Sequence, residues 1–231
     1  MRSRAGWLAV MMAVIAGYVD AIGFTRLFAV FPANQSGNAV LLGVAIGDPS
    51  WDQGWRPGVS MVAFVLGVAV GFALGARLGD TRRTPVLLAI EGVLLVVFAA
   101  LAGNVKGDVA PLGGAREVVL LVVSSIAMGV ETDVVRRVAG VPVYTTFQTG
   151  TIARLAETGA EEVEHALGVH GVPAPPPDGR RVLAVLGAVI GGYIVGSAIG
   201  AAIVSGWGYA LWVPAIVCVA LVFVTATRSN S

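Results

Sequence analysis

Residues 34–49 read Asn34-Gln35-Ser36-Gly37-Asn38-Ala39-Val40-Leu41-Leu42-Gly43-Val44-Ala45-Ile46-Gly47-Asp48-Pro49. The stretch opens on residues that cap helices and closes at Asp48-Pro49, a breaker, so it predicts a helix over 36–47. At about 1.5 Å per residue that helix is about 15–18 Å long, half of a hydrocarbon core of about 30 Å. An apolar helix that is too short to cross a membrane, in a chain otherwise made of longer apolar runs, predicts a re-entrant half-helix.

A second such stretch follows at a fixed distance. Gln35-Ser36-Gly37 meets Gln148-Thr149-Gly150 at an offset of 113 residues, and Asp20 meets Asp133 at the same offset. The second half-helix is expected over 149–158, ending at Gly159. Further on, Gly67, Gly71 and Gly75 meet Gly192, Gly196 and Gly200 at an offset of 125. The added residues fit a longer, Pro-rich connection around Val172 to Asp178. The chain thus reads as two related units, residues 1–110 and 111–231, forming one membrane domain.

Six longer apolar runs fill the remaining sequence: Gly6 to Thr25, Pro57 to Ala76, Thr84 to Gly103, Arg116 to Thr132, Arg181 to Val204 and Tyr209 to Thr227. Only 13% of residues are charged and 56% are apolar, against about 25% charged in soluble domains. This composition predicts an all-α integral membrane protein with the lipid bilayer as its surroundings. A net charge of +1 gives no basis for nucleic-acid binding. The N-terminal run continues through Gly17-Tyr18-Val19-Asp20 without a small-residue cleavage site, so it reads as an uncleaved first helix.

Positive charge sets the expected topology. If both short stretches are re-entrant, Arg2, Arg4, Arg77, Arg82, Arg83, Arg136, Arg137, Arg154, Arg180, Arg181 and Arg228 lie on the cytoplasmic side. Arg26, Arg56, Lys106 and Arg116 then lie outside. If both stretches cross instead, the bias weakens. The positive-inside rule selects the first arrangement. Three spans per unit is an odd number, so the units have opposite orientation. The expectation is an inverted 3+3 repeat with two re-entrant half-helices and both termini cytoplasmic.

In such a fold the half-helices begin near the midplane, where their first N–H groups lack intrahelical acceptors and the helix dipole is positive. Broken helices meeting there are a recurrent plan for solute sites. Gln35, Ser36, Gly37, Asn38, Gln148, Thr149, Gly150 and Thr151 are therefore candidates to line a path for a small anion or a neutral polar solute. The same groups could instead cap one another and hold a bend. Asp20 lies about two-thirds of the way along its helix, and Glu91 about two turns inside its own. A carboxyl at such depth is a functional candidate by default. Asp20, Asp133 and Glu91 are candidates for proton coupling or gating, with Glu131 ranked below Glu91. Asp20 and Asp133 could also anchor the loops entering the half-helices by accepting backbone N–H bonds. For Asp133 an interfacial pair with Arg136 or Arg137 is a further reading.

The glycine ridges predict close backbone packing of two helices, within the monomer or across a homodimer. Cys218 reads as helix packing. His165 and His170, among Glu161, Glu162 and Glu164, match no metal-ligand spacing, so no metal or other cofactor is expected. Trp7, Trp51, Trp55, Trp207 and Trp212 fall near helix ends, as interfacial tryptophan does. No enzyme motif is present, and no enzymatic activity is expected.

Gly17-Tyr18-Val19-Asp20-Ala21, the run from Pro32-Ala33-Asn34-Gln35-Ser36-Gly37-Asn38 to Gly43, and Thr145-Thr146-Phe147-Gln148-Thr149-Gly150 resemble the YoaK-like family of bacterial inner-membrane proteins. Members usually carry Thr where Ser36 stands, and an amide residue is common near Glu131-Thr132-Asp133. The resemblance implies a six-span, multi-pass inner-membrane protein and no particular activity. From the residues, the leading expectation is a small channel or secondary transporter. The alternative is a scaffold or sensor acting through the cytoplasmic loop from Glu157 to Arg181. An intramembrane enzyme would need a nucleophile–base pair that the sequence does not offer.

Overall fold

A computed structural model describes residues 4–27, 29–48, 54–103, 114–134, 137–138, 141–142, 145–146, 148–168, 179–205 and 209–227. Expectations that fall on Arg2, Trp51, Lys106, Arg136, Phe147, His170, the stretch 172–178, Trp207 and Arg228 lie outside them. Eight α-helices are described: α1 (Arg4–Ile22), α2 (Gln35–Gly47), α3 (Trp55–Arg77), α4 (Asp80–Ala102), α5 (Ala115–Glu131), α6 (Gln148–Ala166), α7 (Gly179–Val204) and α8 (Trp212–Thr227). A two-residue antiparallel ladder, β1 (Arg137–Val138) with β2 (Val141–Pro142), lies between α5 and α6.

Residues 5–27, 55–77, 82–102 and 179–204 form helices long and apolar enough to cross a membrane. Helices α5 and α8 are shorter, with 17 and 16 residues. Many large apolar side chains point outward, including Val62, Val65 and Phe72 on α3 and Ile194 and Val195 on α7. Water would penalise such a surface; hydrocarbon does not. The molecule is a helical membrane protein.

The short helix α2 stands where the sequence places it. The second short helix does not stop at Gly159 but runs on to Ala166. One glycine inside a helix costs only about 1 kcal/mol, and Glu161, Glu162 and Glu164 favour continuation. The stop comes at Gly168, whose φ of +69° is left-handed and whose N–H bonds back to the His165 carbonyl. Such a glycine is a common helix terminus. The expected half-helix 149–158 is thus corrected to a 19-residue helix.

The long helices pair across the sequence. The most extensive partner of α1 is α7, and that of α3 is α5; α4 packs on both α5 and α8. Helix α2 lies on α3, and α6 lies on α7. The glycine ridges make these pairings close. A Cβ at Gly196 would collide with the Val14 backbone, and one at Gly67 with the Ile126 carbonyl and, at 3.0 Å, the Gly129 Cα. Gly192 faces Val10, Gly200 faces Tyr18, and Gly71 faces Val130 and Asp133, while Gly75 lies under Arg83. Both ridges are occupied within the chain, so a second copy would have to meet it through other faces. Two core clusters fill the interior, and each takes side chains from both units of the chain.

Candidate functional site

Helix α1 does not end cleanly. Its last turn widens into a π-helical turn, Gly23–Leu27. The chain then reverses through Ala29, at a left-handed φ of 54°. Phe24 and Phe31 stack across the reversal with ring centroids 4.5 Å apart. Gly23 is needed here, because a Cβ would meet the Pro32 ring at 2.6 Å. The reversal returns residues 31–34 alongside the end of α1, beside Asp20.

Asp20 is 2% exposed. Its Oδ1 accepts the Ala33 N–H at 2.6 Å, and its Oδ2 accepts the Asn34 N–H at 3.0 Å and the Tyr193 hydroxyl at 2.5 Å. One carboxyl therefore ties α1, α7 and the entry to α2 together. Three donors suit a carboxylate, which is acceptor-only. Of the readings open from sequence, the loop anchor is the one this geometry shows.

The first polar motif is closed on itself. Asn34 Oδ1 caps α2 by accepting the Gly37 N–H at 3.2 Å and the Ser36 hydroxyl at 2.8 Å. Gln35 Nε2 donates to the Pro32 carbonyl at 2.8 Å. Asn38 is fully buried. Its Oδ1 accepts the Phe31 N–H at 2.9 Å, and its Nδ2 lies 2.5 Å from the Phe31 carbonyl, 2.9 Å from Gln35 Oε1 and 3.0 Å from Ser60 Oγ. Ser60 Oγ in turn lies 2.9 Å from Ser125 Oγ on α5. This is a bend held by its own caps. Ser60 and Ser125 complete it, and nothing in the local sequence marked them.

The second motif is built alike but left open. Gln148 Nε2 donates to the Thr145 carbonyl at 2.6 Å, matching Gln35 and Pro32. Position 151, however, carries Thr where position 38 carries Asn. Gln148 Oε1 is buried and accepts no hydrogen bond, unlike Gln35 Oε1. Thr149 is exposed, Gly150 half-buried and Thr151 buried. Thr146 Oγ1 lies 3.1 Å from Thr132 Oγ1, and Thr145 Oγ1 donates to Glu131 Oε1 at 2.6 Å.

Glu131 brings in the remaining carboxyl. Glu91 on α4 is 0% exposed and Glu131 is 1% exposed. The two side chains lie within hydrogen-bonding reach of each other, and Asp20 is near enough to repel Glu131. Both Glu91 oxygens and Glu131 Oε2 are buried without a donor. Tyr193 and Cys218 border the same region. Asp133 stands apart. Arg83 donates to its carbonyl at 3.0 Å and reaches its Oδ1 at 3.5 Å. Sequence order ranks Glu131 below Glu91, whereas the fold joins them as partners. Elsewhere, Arg56 and Glu117 form a buried ion pair between the first turns of α3 and α5. Among the described residues no group of His, Cys, Asp and Glu gathers that could hold a metal ion.

An α-helical bundle with outward apolar faces and carboxyls in its interior defines a helical membrane protein. The chain belongs to the family described as Protein of unknown function (DUF1275), whose model matches residues 8–224. It is similar to the UPF0700 transmembrane protein YoaK of Bacillus subtilis (strain 168), at 31% identity over 150 residues. That match spans 64% of this chain and 64% of the relative's length. No solved structure matches the chain.

Proposed function

We propose that the protein is a proton-coupled secondary transporter for a small, neutral polar solute. One observation carries this reading: Asp20, Glu91 and Glu131 are gathered in the interior of a membrane bundle beside the open amide oxygen of Gln148. Carboxyls in a membrane interior are costly, and structure alone gives no use for Glu91, which bonds to no donor. Three carboxyls would repel an anion, so of the two solute classes expected from sequence the neutral one fits.

The helix pairings support the architecture that this reading needs. The first helix of each unit packs on the glycine-ridged helix of the other, and each short helix packs on the ridged helix of its own unit. Such pairing fits the proposed architecture, an inverted 3+3 repeat of six spans with two re-entrant segments, which we place in a bacterial inner membrane with both termini cytoplasmic. The solute contacts would lie at the entry to α6, at Gln148, Thr149, Gly150 and Thr151. The first motif would act as the fixed hinge.

The test is flux into proteoliposomes for a panel of small neutral polar solutes, with and without an inward proton gradient. Wild type should show saturable, gradient-driven uptake that Gln148→Leu abolishes. Equal uptake by wild type and Gln148→Leu would remove the path from the entry to α6.

A second reading has its own observation. From Glu157 onward, α6 turns a polar, acidic surface outward, with Glu157, Glu161 and Glu164 exposed beside Val163 and Leu167. A scaffold or sensor could engage a partner there. Absent flux for the whole panel, with the protein folded, would favour that reading.

A further inference from the structure

We propose that Glu91 and Glu131 hold a single proton between them, as a buried carboxyl–carboxylate pair that is the proton-binding site of the transporter. The role, though not the pair, rests on the transport reading above.

The argument starts from unmet hydrogen bonds. Ionised carboxylates are acceptors only. Glu131 Oε1 is satisfied by the Thr145 hydroxyl, but Glu131 Oε2 and both Glu91 oxygens have no donor and no access to solvent. Two ionised carboxylates at this separation would repel across a low-dielectric interior, as in any carboxyl dyad. One proton converts the repulsion into a donor–acceptor bond and satisfies an oxygen on each side.

Among the described residues the surroundings supply no other donor. Helix α8 contributes Cys218, whose thiol lies against Glu91 and donates to the Leu88 carbonyl at 3.3 Å. Helix α1 contributes Asp20 and α7 contributes Tyr193, whose hydroxyl is already given to Asp20. Arg83 on α4 is engaged by Asp133. Among the described residues, the groups that bear on the pair are thus acidic or neutral.

Thr145 connects this site to the entry of α6. Its hydroxyl holds Glu131 while its carbonyl holds Gln148 Nε2. A solute donor drawn to Gln148 Oε1 would pull on the residue that grips the pair. Transfer within the pair breaks one O–H bond on Glu91 and forms one on Glu131, with no change in charge.

Infrared spectroscopy of the full chain in lipid nanodiscs at neutral pH reads the proton directly, without any transport. Wild type should show the carbonyl band of one buried carboxylic acid, retained in Asp20→Asn and lost in the double variant Glu91→Gln, Glu131→Gln. If the double variant does not fold, Glu91→Gln alone decides: its amide N–H takes the place of the proton, and the band should vanish. A band missing from wild type, or one that persists in these variants, overturns the pair. The band present with no flux of any solute would leave the pair standing and remove the transport reading. Gradient-driven flux without the band would do the reverse.

Discussion

Asp20 gives the sharpest separation between a carboxyl that holds the fold and one that works. In Asp20→Ala three donors lose their acceptor: the Ala33 and Asn34 amides and the Tyr193 hydroxyl. The hydroxyl can rotate to another acceptor, but Ala33 is 1% exposed and its amide cannot reach water. Each buried donor left unsatisfied costs about 1–3 kcal/mol, so two of them predict a loss of about 2–6 kcal/mol. Asp20→Asn should cost less, about 1–3 kcal/mol, because its oxygen keeps one amide while its NH2 faces the other. The assay is hydrogen exchange of the segment 31–38, together with unfolding midpoints in mixed micelles. At about 1.4 kcal/mol per tenfold, exchange at 31–38 should accelerate roughly tenfold in the Asn variant and by more in the Ala variant. The order of effect should be Ala above Asn above wild type. Unchanged exchange and unchanged stability in Asp20→Ala would refute the anchor. If flux were nevertheless lost, Asp20 would be a proton carrier.

Two further sets of substitutions test the packing. In α7, Gly187 has open space where a Cβ would go, Gly192 is approached at 3.1 Å by the Val10 carbonyl, and Gly196 collides with Val14. Unfolding midpoints of the three Ala variants should therefore fall into order: Gly187→Ala neutral or stabilised by up to about 1 kcal/mol, Gly192→Ala mildly weakened, Gly196→Ala weakened by about 1–3 kcal/mol. At the other end of the bundle, Glu117→Gln should cost about 3–5 kcal/mol by leaving Arg56 buried beside a neutral group. Most of that loss should be recovered in a double variant with Arg56→Met and Glu117→Leu, measured in the same unfolding assay.

Much of the scaffold was legible because its signals are local or periodic. Apolar runs marked the long helices, and Ser36 and Asp48-Pro49 marked the ends of α2 to within a residue, although the capping side chain is Asn34. The glycine spacing marked the faces that now lie against α1 and α5. What the sequence left open is what depends on distance along the chain. Asp20 could be read as anchor or as proton carrier until its partners at positions 33, 34 and 193 were known. The pairing of Glu91 with Glu131 joins α4 to the end of α5, and no spacing rule connects residues 40 positions apart on different helices. Ser60 and Ser125 were invisible for the same reason. The end of α6 was misplaced because Gly159 and Gly168 are the same residue type, and only backbone conformation separates a tolerated glycine from a terminating one.

The 113-residue offset locates the chemistry more closely than any motif does. At Gln35 and Gln148 the two units agree in residue and in hydrogen bond, each amide donating to the carbonyl three residues before it. Where they differ, the polar groups are left open. Position 38 is Asn and fills Gln35 Oε1; position 151 is Thr, and Gln148 Oε1 stays empty. Position 18 is Tyr, whose hydroxyl is spent on the Ala210 carbonyl at 2.7 Å; position 131 is Glu, half of the carboxyl pair. A repeat retained only for packing would have no reason to close Gln35 Oε1 in one unit while leaving the matching Gln148 Oε1 buried and unsatisfied in the other. Converting the second unit toward the first, by Thr151→Asn, supplies the missing donor to Gln148. If the open oxygen is the solute contact, this change should preserve the fold and suppress flux. If it instead leaves flux intact, the asymmetry lies outside the path, and the transport reading loses its link between solute and proton.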